Sequence, residues 1–236
     1  LLLNIPQEEK KKIFNVLFLI KNGKIVFKKN KSILPNYGVF DEKRVFTPGP
    51  MPGPINFRGV RLGVPICEDI WTPDVVECLE ESGAEILLVP NGSPFEGDKV
   101  DRRLNHTVAR VHESGLPLIY VNQVGGQDEL VFDGASFVLN HNTEMALQLP
   151  SWQEAVVLTE WIRKGDVWHC IPGTCMPPDG GVAAIYQAMV LGLRDYVNKA
   201  GFPGVLLGLS GGVDSALSAC LLYTTPSPRD LAQSRM

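Results

Sequence analysis

The segment VRLGVPICEDIWTPDVVECLEESGAEILLV, residues 60–89, contains the pattern that decides the fold. Its first apolar stretch, residues 60–66, predicts a strand that ends just before Cys67. The stretch Thr-Pro-Asp at residues 72–74 predicts a helix, because threonine caps, proline suits the first turn and aspartate complements the helix dipole. The apolar run at residues 85–89 predicts a second strand. Strand–helix–strand units of this kind are typical of α/β proteins.

The same alternation of strands and helices extends upstream and downstream of this segment. Residues 16–20 and 25–27 predict a hairpin, because the Asn-Gly pair between them is a strong turn signal. The charged run at residues 8–12 predicts a solvated segment. Residues 98–114 place apolar side chains at helical spacing and predict an amphipathic helix.

The last third of the chain has a different pattern. Proline and glycine accumulate between residues 150 and 181, which predicts a connector between two domains. Residues 182–199 then predict a helix, and residues 205–209 predict a buried strand. The helix residues expected to face the core are apolar and recur at helical spacing: Val182, Ile185, Met189, Leu193 and Val197.

Composition and charge exclude several classes of protein. The 236 residues include 22 basic and 26 acidic side chains, a net charge of −4, which argues against a nucleic-acid-binding surface. A hydrophobic content of 44% excludes a disordered chain. The apolar runs are too short to span a bilayer, so no membrane partner is expected. Five cysteines at irregular spacing predict reduced thiols and a cytoplasmic location.

Cys67 is the first candidate for chemistry. A cysteine between a strand and a helix start lies where a nucleophile is exposed and backbone N–H groups can stabilise an oxyanion. A lone cysteine is more often a small buried hydrophobe, although Glu68 and Asp69 directly after it argue against a plain core position. Taken alone, the residues leave both interpretations open.

The stretch LGLSGGVDS, residues 207–215, is the second candidate. Two glycines with flanking hydroxyls allow backbone N–H groups to close around an anion at a helix N-terminus. A plain strand–turn–helix junction explains the glycines but not Ser210, Asp214 and Ser215 together, so a phosphate site is favoured. The stretch lacks the Walker pattern, and Asp214 suits a Mg²⁺ ion held with a nucleotide.

Taken in order, these motifs resemble those of the glutamine-dependent NAD⁺ synthetases, in which a nitrilase-type amidase domain is fused to an ATP-pyrophosphatase domain. The segments that carry the similarity are KSILPNYGVFDEKR (31–44), VPICEDIW (64–71), NGSPFEGDK (91–99) and GLSGGVDSAL (208–217). The resemblance implies an α/β chain, with a partial nitrilase-type α-β-β-α sandwich followed by the start of a Rossmann-like ATP-pyrophosphatase domain.

For the amidase part, the resemblance implies that Cys67 attacks the carboxamide of glutamine, giving a glutamyl thioester and ammonia. Lys31 would stabilise the tetrahedral oxyanion, as expected for a cation beside a developing negative charge. Tyr37, Ser93 and Lys99 match the glutamine-binding positions of the family.

For the synthetase part, the resemblance implies ATP and Mg²⁺, with ammonia amidating ATP-adenylated nicotinic acid adenine dinucleotide. The implied ATP-binding residues are consecutive: Gly208, Leu209, Ser210, Gly211, Gly212, Val213, Asp214 and Ser215. Asp214 would also lie next to the metal ion. The full-length protein is expected to be a homo-oligomer.

The resemblance divides the chain into four parts. Residues 1–160 would be a partial carbon-nitrogen hydrolase (glutaminase) domain, residues 161–181 a connector, and residues 182–219 the start of the synthetase domain. Residues 220–236 are expected to be a tail of non-biological origin, because CLLYTTPSPRD (220–230) closely resembles the translation of a sequencing-library adaptor. Pro226 and Pro228 would also break the preceding helix.

The chain departs from the family pattern at the general base. The glutamate that would take the thiol proton belongs to a segment that this sequence does not contain, and neither Glu42 nor Glu68 is assigned to that role. General-base assistance contributes about 10²–10⁴ in rate, so we expect the chain to hydrolyse glutamine poorly.

Two alternatives fit the residues: an amidase fused to a different ATP pyrophosphatase, and an inactive remnant that only binds.

Overall fold

In a computed structural model, which describes residues 1–225, the chain forms two main β-sheets, two smaller hairpins and five helices. The strands are β1 (Leu2–Glu9), β2 (Lys12–Lys21), β3 (Lys24–Asn30), β4 (Ile55–Phe57), β5 (Val60–Gly63), β6 (Ile86–Asn91), β7 (Leu118–Asn122), β8 (Val124–Gln127), β9 (Leu130–Asp133), β10 (Phe137–Leu139), β11 (Met145–Gln148), β12 (Trp161–Lys164) and β13 (Val167–Cys170). The helices are α1 (Glu42–Val45), α2 (Asp74–Glu81), α3 (Lys99–Ser114), α4 (Gly181–Lys199) and α5 (Val213–Thr224). A 3₁₀ helix, Cys67–Ile70, separates β5 from α2.

Strands β1, β2 and β3 form the smaller main sheet, an antiparallel meander. The predicted hairpin between β2 and β3 is confirmed, with Asn22 and Gly23 both at positive φ, as a tight turn of this hand requires. The charged run predicted to be solvated forms the exposed turn between β1 and β2, where Lys10 and Lys11 also adopt positive φ. Strand β1 itself was missed by the sequence pattern, because charged residues at its end mask the alternation.

The larger sheet has six strands in the order β11-β10-β7-β6-β5-β4. Strands β5, β6 and β7 are parallel, so α2 and α3 are the crossover helices that the strand–helix–strand pattern predicted. Two local details differ from the prediction. Strand β5 ends at Gly63, before Cys67, and Pro73 rather than Thr72 precedes the first residue of α2.

The two main sheets pack face to face, and α2 and α3 cover the outer face of the larger one. The buried residues between the sheets are Leu17, Leu19, Ile55, Val64 and Ile66. Those between the larger sheet and the helices include Val75, Leu79, Leu87, Val89, Val111 and Leu118. Strands β5, β6 and β7 have an apolar layer packed on each face, so they are rigid. The loops that follow them are therefore held in fixed positions.

Helix α4 packs against the hairpin β8–β9, but through a face that the sequence pattern did not predict. Ala184, Ala188 and Leu191 are buried there together with Trp152. Val182 and Ile185, which were expected to face inward, are half or more exposed. The prediction is confirmed for Val197, which is buried, and wrong for Val182 and Ile185. Small residues face the hairpin instead: a Cβ on Gly126 would lie 2.9 Å from the Cα of Gly192, so the two backbones approach closely.

The strand predicted at residues 205–209 is absent, and this segment is extended loop. Leu206 is fully exposed, and the rest of the segment is exposed as well. An apolar run becomes a strand only beside another strand, and no described strand of residues 1–225 pairs with this one. Helix α5 begins after it and continues to Thr224. The first residues of the predicted tail, 220–225, form the end of this helix and its C-cap, and residues 226–236 lie outside the described residues.

None of the helices in residues 1–225 is long and apolar enough to cross a membrane.

Candidate active site

Cys67 lies where the chain turns from β5 toward α2, and its backbone is strained. Its φ is +47°, a left-handed conformation that non-glycine residues rarely adopt and that costs about 1–3 kcal/mol. The side chain is partly exposed and lines a pocket of about 390 Å³. Cys67 packs against the core residues between the sheets on one side and lines the pocket on the other, which favours the nucleophile over the plain core position.

Lys31 lines the same pocket and is almost completely buried, at 2% exposure. Its backbone N–H donates to the carbonyl of Asn15 at 2.8 Å, which fixes the residue beside β2. Its Nζ donates to Glu42 Oε1 at 2.7 Å. Among the described residues this buried ammonium has one carboxylate partner, so it keeps N–H donors for a further oxygen, which is what an oxyanion-stabilising group needs.

The pKa of the Cys67 thiol is set by opposing influences. Burial raises the pKa above its ordinary value, and the nearby charges of Glu68 and Glu42 add to that rise. The ammonium of Lys31 and a hydrogen bond from the backbone N–H of Gly92 act in the other direction. The thiol is therefore protonated at neutral pH, and Lys31 together with Gly92 provides the environment in which a thiolate or oxyanion is stabilised.

The end of strand β6 and Gly92 contribute a second wall of the pocket, and Ser93 follows Gly92 without lining the pocket. Ser93, at 4% exposure, donates its backbone N–H to Asn122 Oδ1 at 2.9 Å. The Ser93 hydroxyl accepts a hydrogen bond from Arg103 Nε at 3.0 Å, and Arg103 Nη2 donates to the carbonyls of Ser93 and Pro94. Because Gly92 precedes Ser93 and lines the Cys67 pocket, this network also fixes the backbone on that side of the pocket.

Arg103 is itself locked by Asp133, and the sequence interpretation missed both residues. Arg103 Nη1 donates to both oxygens of the Asp133 carboxylate at 2.8 Å, and both side chains are buried. A signal for Arg103 was present: Lys99, Arg103 and Thr107 recur every four residues on α3 and form a polar buried stripe. Nothing in the sequence pairs Arg103 with an aspartate on β9.

Lys99 and Tyr37 lie near Glu68, outside the residues that line the Cys67 pocket. The Tyr37 hydroxyl donates to the Glu68 carboxylate at 2.8 Å, and burial together with this bond raises the pKa of Tyr37. Burial also raises the pKa of Glu68, while Lys31 and Lys99 lower it. Lys99 Nζ lies 3.2 Å from Glu96 Oε1 and 5.2 Å from the centre of the Trp71 ring. The structure thus places the Glu68 carboxylate within electrostatic reach of Cys67, and places Tyr37 and Lys99 near Glu68.

The loop from Gly208 to Ser215 is open. The hydroxyls of Ser210 and Ser215 lie 3.0 Å apart, and Gly211 has a φ of +84° that a side chain would strain. Helix α5 begins directly after Gly212, with Asp214 in its first turn. The glycines, hydroxyls and free N–H groups of this helix start fit a phosphate group. The described residues contain no group of three His, Cys, Asp or Glu side chains that could hold a metal ion.

Comparison with known proteins matches both parts of the chain. The carbon-nitrogen hydrolase family model matches residues 1–164, and the NAD synthase family model matches residues 185–227. The glutamine-dependent NAD(+) synthetase of Rhodobacter capsulatus is 50% identical over 208 residues, which cover 88% of this chain and 38% of that protein. The enzyme of the same name from Acinetobacter baylyi is 41% identical over 217 residues, covering 92% and 40%.

Solved structures give the same result for the fold. The glutamine-dependent NAD+ synthetase from Acinetobacter baumannii, in complex with ADP, matches with a TM-score of 0.89 and 39% identity, covering 97% of this chain and 43% of that one. A carbon-nitrogen hydrolase from Helicobacter pylori matches with a TM-score of 0.59 and 27% identity, covering 64% and 58%. The chain spans about two fifths of the length of the curated relatives it matches.

Proposed function

The chain belongs to the carbon-nitrogen hydrolase family, and from this premise we propose that it is part of a glutamine-dependent NAD⁺ synthetase. Residues 1–160 would form its glutaminase domain, residues 161–181 the connector and residues 182–219 the start of its synthetase domain. The observation that carries the proposal is the pairing of Cys67 with a buried Lys31 in one pocket, followed in the same chain by a phosphate-type loop.

In the proposed glutaminase step, the Cys67 sulfur forms a bond to the carboxamide carbon of glutamine. The oxyanion that develops is stabilised by Lys31 Nζ, whose ammonium has N–H groups beyond the one given to Glu42. The carbon–nitrogen bond then breaks, the thiol proton ends on the leaving nitrogen, and ammonia and a glutamyl thioester result. Water hydrolyses the thioester to glutamate and restores the thiol.

Recognition of glutamine is assigned to the groups around Glu68. The carboxylate of Glu68, held by the Tyr37 hydroxyl, suits the ammonium of an amino acid, and the Lys99 ammonium suits its carboxylate. Ser93 shapes the same region through the loop that Arg103 fixes. Charged groups of both signs beside a nucleophile favour a zwitterionic amide over a simple aliphatic one.

We expect the proposed glutaminase step to be slow in this chain alone. Two carboxylates contribute to the environment of Cys67, and both are already hydrogen-bonded: Glu42 to Lys31, and Glu68 to Tyr37. The family resemblance assigns neither of them as the general base, although Glu42 Oε2 has no hydrogen-bond partner among the described residues. Without a general base the rate is lower by about 10²–10⁴. Covalent trapping of Cys67 is therefore a better test than turnover.

In this chain, the loop of residues 208–215 is the part that would serve the synthetase step. ATP would adenylate the carboxylate of nicotinic acid adenine dinucleotide with release of pyrophosphate, and ammonia would displace AMP. The helix start at Gly212 would hold phosphate oxygens, and Asp214 would face the Mg²⁺ ion. A cytoplasmic location, supported by five unpaired cysteines in the described residues, and a homo-oligomeric state complete the proposal.

The test is affinity labelling with a chloroketone analogue of L-glutamine, in which the cysteine sulfur displaces chloride. We expect peptide mapping to show Cys67 labelled at least tenfold faster than the exposed Cys175 of the same molecule. A simple chloroketone without the amino and carboxylate groups is the matched control, and should remove this preference. Equal labelling of the two cysteines by the glutamine analogue would contradict the proposal.

A further inference from the structure

Asp69 is a completely buried carboxylate whose two oxygens accept four hydrogen bonds. Oδ1 accepts from the backbone N–H groups of Ser32, at 3.2 Å, and Ile33, at 2.7 Å. Oδ2 accepts from the backbone N–H of Ile66 at 2.9 Å and from Lys29 Nζ at 3.3 Å. The proposed mechanism does not use this residue.

The donors to Asp69 flank the two reacting groups of the site. Ser32 and Ile33 directly follow Lys31, and Ile66 directly precedes Cys67. The two segments are more than thirty residues apart in sequence, and the Asp69 carboxylate joins them because it accepts hydrogen bonds directly from both. The distance between the Lys31 ammonium and the Cys67 sulfur is therefore coupled to the position of one buried side chain.

Lys29 completes the cluster. Its Nζ donates to the carbonyl of Val64 at 2.7 Å as well as to Asp69. Burial lowers the pKa of Lys29, while the carboxylate of Asp69 raises it. The Lys29 ammonium neutralises the buried Asp69 carboxylate and links it to the segment just before Cys67. The two charged groups together therefore stabilise the strained backbone at Cys67.

We propose that Asp69 is a positioning residue that fixes Lys31 beside Cys67 and thereby sets the reactivity of the thiol. This rests on the proposed function only in taking Cys67 as the nucleophile. Asparagine in place of Asp69 keeps an acceptor for Ser32 and Ile33, but presents an N–H₂ group where Ile66 and Lys29 both donate. The link on the Cys67 side is then lost while the side-chain volume is kept.

The sign of the effect separates positioning from simple electrostatics. Removing a negative charge near a thiol, with no movement, makes the thiolate easier to form. Releasing the Cys67 turn from the Lys31 segment weakens the cation–thiolate attraction and makes the thiolate harder to form. A merely structural role changes the stability of the fold and leaves the thiol titration where it was.

The experiment is the pH dependence of Cys67 carboxamidomethylation by iodoacetamide, with Cys175 as the reference within each molecule. For Asp69→Asn we expect the midpoint for Cys67 to move up by about one pH unit, so that labelling at neutral pH falls about tenfold. The matched control is Glu85→Gln, since Glu85 also accepts a backbone N–H, from Arg61 at 2.8 Å, away from the site. Its Cys67 midpoint should match the wild type.

A Cys67 midpoint that stays in place or moves down in Asp69→Asn would overturn the proposal. Should Asp69→Asn fail to fold, as judged by its thermal melt, Asp69→Glu decides, because it keeps the charge and changes only the reach. For Asp69→Glu we expect the midpoint to move upward, and an unchanged midpoint would overturn the proposal. Iodoacetamide does not mimic glutamine, so a failure of glutamine recognition would show in the chloroketone experiment and not here.

Discussion

The pocket at Cys67 and the loop at residues 208–215 were both indicated by short sequence motifs, yet the structure builds only the first. In and around the Cys67 pocket, the side chains of Lys31, Ser93 and Lys99 are buried, and each has a hydrogen-bond partner. Residues 208–214 are all exposed, and within residues 1–225 the hydroxyls of Ser210 and Ser215 bond only inside the loop, to each other and to the backbone of Gly212. The difference shows that a motif becomes a preorganised site only where packed sheets and a buried ion-pair network surround it.

The largest effect is expected from breaking the Arg103–Asp133 pair. Arg103→Met leaves Asp133 as a buried uncompensated carboxylate, which costs about 3–5 kcal/mol of the free energy of unfolding. Asp214→Asn is the matched change in the open loop, where the carboxylate is exposed, and should stay within about 0.5 kcal/mol. Urea unfolding measures both, and similar costs for the two variants would remove the contrast between the regions.

Loss of the buried ammonium comes next and changes reactivity. In Lys31→Met we expect labelling of Cys67 by the glutamine chloroketone to fall about 10²–10³-fold, the usual effect of removing one oxyanion-stabilising donor. Lys199→Met is the control, because Lys199 donates to the carbonyl of Gly126 away from the pocket. Labelling of Cys67 at the wild-type rate in Lys31→Met would show that Lys31 does not serve the thiol.

A pair of glycine substitutions compares packing in the two regions. In Gly126→Ala the new Cβ would lie 2.9 Å from the Cα of Gly192, and overpacking of this kind costs about 1–3 kcal/mol. In Gly208→Ala the new Cβ would meet nothing within 4 Å, and the change should stay within about 0.5 kcal/mol. Thermal melts of the two variants give the answer; a destabilisation by Gly208→Ala as large as that of Gly126→Ala would mean that the loop is packed.

The smallest effect is a pH dependence of stability that comes from Cys67. Burial raises the pKa of this thiol in the folded chain, so the folded state holds its proton more tightly than the unfolded state. The stabilisation this proton provides is complete below the ordinary thiol pKa and is lost as the pH rises from there through the raised pKa, at a slope of at most about 1.4 kcal/mol per pH unit. Cys67→Ala should remove this part of the slope at pH values above about 8.5, and an identical slope in wild type and variant would argue against a raised thiol pKa.

The sequence predicted what short-range patterns encode. The strand–helix–strand unit at residues 60–89, the hairpin at Asn22 and the helix at residues 98–114 depend on local periodicity and turn residues, and all were confirmed. Cys67 and Lys31 were found because their segments are distinctive motifs, and the structure brings them to one pocket. Structural elements that depend on residues close together in the chain can therefore be predicted from the sequence alone.

What the sequence missed depends on partners distant in the chain. Asp133 is thirty residues from its partner Arg103 in sequence, and the two meet only because the fold brings β9 close to α3. The strand predicted at residues 205–209 needed a neighbouring strand that residues 1–225 do not offer it. Helix α4 has apolar residues on two faces, and close glycine contacts decided between them.

The most direct test is whether L-glutamine protects Cys67 from iodoacetamide while Cys175 in the same molecule reacts unchanged. A preformed glutamine site predicts that the labelling rate of Cys67 falls at least fivefold at saturating L-glutamine, with no protection by D-glutamine. Cys67 reacting at the same rate with and without L-glutamine, in a chain that still melts cooperatively, would contradict the assignment of this pocket as a glutamine site.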